Sequence, residues 1–155
     1  MYQKILVPLD GSRLAECALP HVIHMSKDGV VGEVTLINVV NVYIPGRGEI
    51  PGVADINEIR ESLFVESGRY LADVESRLAS EGITVKKVSR EGNRPADTIS
   101  DYAQKNGIDM IVIATHGRSG VKKLMFGSVA LRILHDSHVP VLLIRPESCQ
   151  KETIP

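Results

Sequence analysis

Glycine and serine residues between positions 114 and 128 form a pattern that suits the binding of a phosphate group. Gly117 and Gly120 let the backbone approach a ligand closely and adopt positive φ angles at little cost. Gly127 and Ser128 stand where a helix is predicted to begin, and the Ser128 hydroxyl adds a further hydrogen-bonding group. The alternative is that these glycines only shape the turn between a strand and a helix.

The start of that helix and the charges near it favour an anion. The first N–H groups of a helix, here near Val129 and Ala130, have no partner within the helix, and the helix dipole adds partial positive charge. Arg118, Lys122 and Lys123 place further positive charge in the same loop. We therefore expect a phosphate group beside this helix.

A second candidate loop follows the first apolar run and contains Pro8, Leu9, Asp10 and Ser12. The Asp10 carboxylate could cap the first helix beside Ser12, or it could accept hydrogen bonds from ribose hydroxyls or an adenine amino group. It could also face a phosphate-bound Mg²⁺, because this ion prefers oxygen ligands. A bare carboxylate would repel phosphate, so we expect a metal, ribose or base contact.

The elements that position these loops are five short apolar runs separated by helical patterns. Three of the runs are nearly continuous in Val, Ile and Leu, which is typical of parallel strands covered by helices on both faces. Alternating strands and helices predict an α/β fold with an open parallel sheet and right-handed crossovers. The predicted strands are Ile5–Val7, Val34–Val40, Ile83–Val88, Met110–Ala114 and Val139–Ile144.

Four helices are predicted between these strands. The first begins after Ser12, a favourable N-cap, and contains Pro20, which predicts a kink because proline lacks a backbone donor. The second helix is long and is predicted to end at Gly82, and the third runs from Pro95 to Gly107. The fourth is the helix that begins in the glycine-rich loop.

The order of the strands decides whether the two candidate loops meet. In open parallel sheets, ligands bind beyond the carboxyl ends of the strands, at the point where the strand order reverses. The order 3-2-1-4-5 makes strands one and four neighbours, so that both loops face one crevice. The order 2-1-3-4-5 would instead place strand one beside strand three, which is followed by residues 91–95. We prefer the first, doubly wound and Rossmann-like order because the 114–128 loop is much richer in glycine.

These motifs together resemble the universal stress protein family. The ATP-binding members of that family carry Gly-x2-Gly-x9-Gly-Ser/Thr between strand four and helix four. This sequence has Ala114-x2-Gly117-x9-Gly127-Ser128, and Pro8–Asp10 stands at the end of strand one. Ala114 replaces the first glycine of the motif and adds one methyl group at that position.

The likeness extends from Lys4 to Arg145, which implies one domain over residues 1–146 followed by a polar tail at 147–155. It also implies an adenine nucleotide as ligand, with ATP first and ADP or AMP as alternatives, and Mg²⁺ as an accompanying ion. Val39, which follows an expected turn at Asn38, would lie near the base and ribose. The implied nucleotide-binding residues are Pro8, Leu9, Asp10, Val39, Ile113, Ala114, His116, Gly117, Arg118, Gly120, Gly127, Ser128, Val129 and Ala130.

The last predicted strand has an apolar edge, formed by Val141, Leu142, Leu143 and Ile144. The resemblance implies a homodimer through this edge. A separate argument points the same way, because an uncovered apolar edge strand promotes aggregation and pairing with a second copy would cover it.

Enzyme motifs are absent from the sequence. The run Gly117-Arg118-Ser119-Gly120 is one residue too short for a GxSxG nucleophile elbow, and no GxxxxGK[ST] phosphate loop is present. His116 lies in the phosphate loop and is a candidate ligand contact. We therefore expect no enzyme activity, or at most weak and slow ATP hydrolysis.

Charge and hydropathy limit the classes of partner. The net charge of −1 gives no basic excess for nucleic acid, and no apolar stretch reaches the roughly 18 residues that a membrane span needs. We therefore expect a cytoplasmic protein without a nucleic-acid or membrane partner. Two functions stay open. The first is a dimeric, ATP-binding sensor or regulator of the stress response, with Asn41–Asn57 as a candidate lid or, alternatively, a disordered insertion. The second is a dimeric interaction protein of the same fold that binds no nucleotide.

Overall fold

Strands and helices alternate along the chain, in a computed structural model that describes residues 1–42, 56–116 and 127–146. The elements in chain order are β1 (Tyr2–Pro8), α1 (Arg13–Glu16), α2 (Leu19–Lys27), β2 (Val31–Val40), α3 (Ile56–Ser80), β3 (Thr84–Glu91), α4 (Pro95–Lys105), β4 (Met110–Ala114), α5 (Ser128–Asp136) and β5 (Val141–Ile144). The described strands form one parallel sheet in the order β3-β2-β1-β4-β5. This confirms the predicted α/β class and the preferred strand order.

The middle of the sheet is occupied by β1, which pairs with β2 on one side and with β4 on the other. Its side chains alternate between two cores, as the period of a strand requires. Ile5 and Val7 enter the core that α1, α2 and α3 cover, and Leu6 enters the core that α4 and α5 cover. All three side chains are fully buried, so the sheet has helices on both faces.

The first helical segment is divided into two helices. The Ser12 hydroxyl caps α1 and accepts a hydrogen bond from the Ala15 N–H at 3.1 Å. This helix ends at Glu16, and Pro20 lies in the first turn of α2. A proline is tolerated there because the first N–H groups of a helix have no partner within it. The predicted kink within one helix is therefore wrong: Pro20 belongs to the start of a new helix.

The predicted ends of two helices are confirmed. Gly82 follows α3 with a φ of +80°, and Gly107 follows α4 with a φ of +64°. Glycine suits both positions because other residues rarely adopt this left-handed conformation. Among the described helices, none combines the length and the apolar character needed to cross a bilayer.

The two edges of the sheet differ in their chemistry. Exposed Lys86, Lys87 and Arg90 lie on the β3 edge. The opposite edge is β5, which has four residues, all of them apolar, and the side chains from Val141 to Leu143 are half-buried. Charged side chains on an edge strand oppose pairing with another chain, and apolar ones do not.

Backbone hydrogen bonds show which way the groups of β5 point. The Ile111 N–H donates to the Pro140 carbonyl at 2.9 Å, and the Thr115 N–H donates to the Ile144 carbonyl at 2.8 Å. In a parallel ladder, residues that bond to the neighbouring strand alternate with residues that point away from it. The N–H and C=O of Val141, the register partner of Ile111, therefore point away from β4 towards the open edge.

Candidate functional site

A cavity of about 300 Å³ lies at the carboxyl ends of β1 and β4, where the strand order reverses. The structure brings most of the predicted site residues together around it. Predicted positions Gly117, Arg118 and Gly120 lie outside the described residues, as do Lys122 and Lys123. The predicted residues that line the cavity are Pro8, Leu9, Asp10, Val39, Ile113, Ala114, His116, Gly127, Ser128, Val129 and Ala130.

The cavity also has walls that sequence reasoning missed. Ile37 precedes Val39 by two positions on β2, so the period of a strand could have identified it. Pro95 and Ile99 come from α4, which follows a strand that is not a neighbour of β1 or β4. Adjacency of strands therefore could not reveal them. The other missed lining residues are Ala15, Asn38 and Thr115.

Aliphatic side chains form the deeper wall of the cavity. Ile37, Ile99 and Ile113 are almost completely buried, and Val39 packs against the same core. A planar apolar group, such as the ring of a nucleobase, loses little by leaving water for such a surface.

The N-terminus of α5 opens on another side of the cavity. Among the described residues no side chain caps this helix, whose first N–H groups lie near Val129 and Ala130 at the cavity wall and suit an anion. The Gly127 N–H donates to the Thr115 carbonyl at the end of β4. A Cβ atom added to Gly127 would lie 2.9 Å from that oxygen, so glycine permits the close approach between strand and helix.

Asp10 contacts the residue that caps the first helix and does not cap the helix itself. Its Oδ1 accepts hydrogen bonds from the Ser12 N–H at 2.9 Å and from the Ser12 hydroxyl at 2.6 Å. The Ser12 hydroxyl in turn caps α1. The carboxylate also lines the cavity, so its hydrogen bonds to Ser12 fix its position at the cavity wall.

Asn38 connects the cavity to α3 and β3. Its Nδ2 donates to the Leu9 carbonyl at 2.8 Å, and its Oδ1 accepts from the Ser67 hydroxyl at 2.6 Å. The Ser67 and Ser89 hydroxyls are 2.7 Å apart. No turn occurs at Asn38, contrary to expectation, because β2 continues to Val40 and pairs with β3 over this stretch. The amide thus holds the Leu9 end of the β1 loop in place.

His116 closes the described part of the glycine-rich loop. Its Nδ1 lies 2.9 Å from the hydroxyl of Thr115, which is almost completely buried. The imidazole therefore borders the cavity on the same side as Gly127 and Ser128.

A lining that combines a buried aliphatic wall, a carboxylate held by hydrogen bonds and a helix N-terminus at a topological switch point is typical of nucleotide sites in α/β proteins. The sequence profile of the universal stress protein family matches residues 1–145. The chain belongs to the universal stress protein family. The resemblance expected from the motifs is thereby confirmed.

Known universal stress proteins cover nearly the whole chain. The universal stress protein MJ0531 of Methanocaldococcus jannaschii is 34% identical over 145 residues, which cover 94% of this chain and 83% of that protein. A solved structure of MJ0577, from the same organism, has a TM-score of 0.79 at 32% identity and covers 94% of this chain and 96% of that chain.

A more distant structure is that of an Arabidopsis thaliana universal stress protein family protein with AMP bound. It has a TM-score of 0.66 at 15% identity, and covers 92% of this chain and 91% of that chain. At this identity the likeness shows the fold alone.

Proposed function

We propose that this universal stress protein binds an adenine nucleotide, ATP in the first place and ADP or AMP as alternatives, and acts as a dimeric sensor or regulator of the stress response in the cytoplasm. The observation that carries the proposal is the single cavity that joins the Asp10 loop to the N-terminus of α5 at the switch point of the sheet.

The phosphates are assigned to the α5 end of the cavity. The N-terminus of α5 attracts negative charge through N–H groups that have no partner within the helix and through the helix dipole. Gly127 and Ser128 begin this helix and match the last two positions of the family's ATP motif. Arg118 and the lysines of the same loop add positive charge in sequence.

The base and the ribose are assigned to the opposite end. The aliphatic wall around Val39 and Ile113 suits the face of a purine ring, and the Asp10 carboxylate suits the hydrogen-bond donors of ribose hydroxyls. A solved family member of the same fold holds AMP, which supports an adenine nucleotide.

Mg²⁺ would be held mainly by the phosphates. The described residues contain no group of three or more His, Cys, Asp or Glu side chains that could hold a metal ion. Asp10 lines the cavity and could add an oxygen ligand. The ion would neutralise phosphate charge, and the chain's own residues would bind and orient the nucleotide.

We further propose that the protein binds the nucleotide without fast turnover. Hydrolysis needs a positioned water and a group that accepts its proton. Among the described residues that line the cavity, His116 is a titratable side chain next to β4, and its Nδ1 contacts the Thr115 hydroxyl. Release of inorganic phosphate from ATP, measured with purified protein, is expected to be slow, and rapid multiple turnover would contradict this proposal.

The competing function is a dimeric interaction protein of the same fold that binds no nucleotide. Ala114 favours it, because this residue lines the cavity where the family motif has glycine. Denaturing the purified protein and searching for released adenine nucleotide separates the two functions. If no nucleotide is released, and millimolar ATP leaves the melting temperature unchanged, nucleotide binding is wrong and the competing function stands.

A charge substitution at Ser128 tests where the phosphates lie. Ser128→Asp places a negative charge at the start of α5, where it stabilises the helix by about 0.3–1 kcal/mol through the dipole. The same charge repels a bound phosphate, and we expect affinity for ATP to fall about tenfold. Ser128→Asn is the matched neutral control. Equal affinities of the two variants would show that the phosphates lie elsewhere.

A further inference from the structure

A second cavity, of about 410 Å³, adjoins the first one on the side of α3. The two cavities share Asp10, Asn38 and Val39 as a common wall. Leu63, Glu66, Ser67 and Tyr70 of α3 form much of the far wall of the second cavity. A substituent on the part of a ligand that contacts Asp10 can therefore extend into this second space.

The charge in the second cavity is negative. Its lining contains the carboxylates of Asp10 and Glu66, and no Lys, Arg or His among the described residues lines it. Burial, then the charge and the hydrogen bond of Glu16, and then the charge of Asp10 raise the pKa of the Tyr70 hydroxyl above its ordinary value. A further negative group placed there would meet repulsion that water screens only in part.

Three side-chain donors in the lining are already used. Asn38 donates to the Leu9 carbonyl, Ser67 donates to the Asn38 Oδ1, and the Tyr70 hydroxyl donates to Glu16 at 3.0 Å. A phosphate group that used these three donors would have to break the bonds that they already make. The first cavity differs, because a helix N-terminus opens on it and no described side chain caps that helix.

We propose that the second cavity makes the site selective for nucleotides without phosphate on the ribose 2′ or 3′ position, with Asp10 and Glu66 as the residues that exclude it. This inference rests on the proposed function, because it places the ribose at Asp10. Neutral ribose substituents are accepted, since the space is large and the exclusion is electrostatic.

The test compares three ligands that share one 5′-phosphate: AMP, AMP with a 2′-O-methyl group, and AMP with a 2′-phosphate. Isothermal titration calorimetry of the full chain is expected to show similar affinities for AMP and for AMP with the 2′-O-methyl group. The 2′-phosphate is expected to weaken binding about tenfold. Raising the salt to about 0.5 M shortens the screening length to a few ångströms and is expected to reduce that difference.

Glu66→Gln removes one of the two charges and keeps the shape of the side chain. We expect it to raise affinity for the 2′-phosphorylated ligand about threefold relative to AMP. Glu61→Gln is the matched control, because Glu61 is exposed on the same helix and does not line the cavity. Its ratio of affinities is expected to equal that of the unchanged protein.

The outcomes separate this inference from the proposed function. If neither AMP nor ATP binds, the proposed function is wrong and the inference falls with it. If AMP binds and the 2′-phosphate binds equally well, only the selectivity is wrong. A 2′-O-methyl group rejected as strongly as phosphate would show steric exclusion and overturn the electrostatic one. If Glu66→Gln leaves the ratio of the affinities for the 2′-phosphorylated ligand and AMP unchanged, Glu66 does not contribute to the exclusion of the 2′-phosphate.

Discussion

Replacing Gly127 with alanine tests the close approach between the end of β4 and the start of α5. The added Cβ would lie 2.9 Å from the Thr115 carbonyl oxygen and 3.7 Å from the His116 Cα. Ordinary contact begins at 3.4 Å, so the backbone must move by about 0.5 Å, and neither atom can rotate away. Gly127 has a φ of −55° and a ψ of 144°, which any residue adopts, so the effect is steric.

The expected loss of stability follows from three contributions. Overpacking in a tight site costs about 1–3 kcal/mol, and weakening the hydrogen bond from the Gly127 N–H to Thr115 costs roughly 1 kcal/mol. Replacing glycine lowers the entropy of the unfolded chain, which offsets about 0.4–1 kcal/mol. We expect Gly127→Ala to unfold with a free energy about 2 kcal/mol lower than the unchanged protein, and to bind ATP less tightly because α5 has moved.

Gly68→Ala is the matched control, since it makes the same chemical change at another position. Gly68 lies inside α3, and an added Cβ would meet nothing within 4 Å. Alanine in a helix is more favourable than glycine by about 1 kcal/mol, so this variant is expected to be more stable. Urea denaturation of both variants gives the free energies of unfolding. A Gly127→Ala variant as stable as Gly68→Ala would refute the steric argument.

Two further predictions concern α3 and β5. Tyr70→Phe loses the hydrogen bond to Glu16 and is expected to be about 1 kcal/mol less stable near neutral pH. Because the pKa of Tyr70 is raised on folding, the stability that its hydroxyl contributes is complete below about pH 10 and is lost as the pH rises above it. Urea denaturation should therefore show the unfolding free energies of the unchanged protein and of Tyr70→Phe converging in strong base. A difference that stays constant with pH would contradict the raised pKa. Val141→Pro removes an N–H that points to the open edge, and light scattering is expected to show that this variant is a folded monomer. The control Leu142→Pro removes an N–H that donates to β4, and we expect it to unfold instead. A dimer that persists in Val141→Pro would exclude pairing through β5.

The order of the strands could be predicted because two signals in the sequence agree. Nearly continuous aliphatic runs indicate strands buried on both faces, and polar loops follow two of these runs at Asp10 and at 114–128. Placing both loops at one switch point leaves a single preferred order, which the sheet has.

The division of the first helix could not be predicted, because its apolar spacing is compatible with one continuous helix. The Cys17 N–H bonds to the Leu14 carbonyl, three residues back, and this tightens and ends α1. Pro20 then occupies the first turn of the next helix. A proline in a helical pattern is consistent with a kink or with a new start, and only the packing of neighbouring elements decides.

No local sequence pattern predicts the polar network of Asn38, Ser67 and Ser89 behind the cavity. Asn38 and Ser89 are register partners on neighbouring strands, so correct alignment of β2 with β3 would have revealed that pair. Ser67 comes from α3, which crosses both strands. The crossing angle of α3 and its distance from the sheet depend on the side chains packed between them. The second cavity depends on the same helix, which is why it too escaped sequence reasoning.

The unequal edges of the sheet limit the size of any assembly built on it. Two copies that pair β5 against β5 about a twofold axis would form one continuous ten-stranded sheet, since five strands come from each copy. Both outer edges of that sheet would then be β3, where Lys86, Lys87 and Arg90 are exposed. Charged side chains on an edge strand oppose pairing with a further chain. Such pairing would favour an assembly of two chains over a fibre.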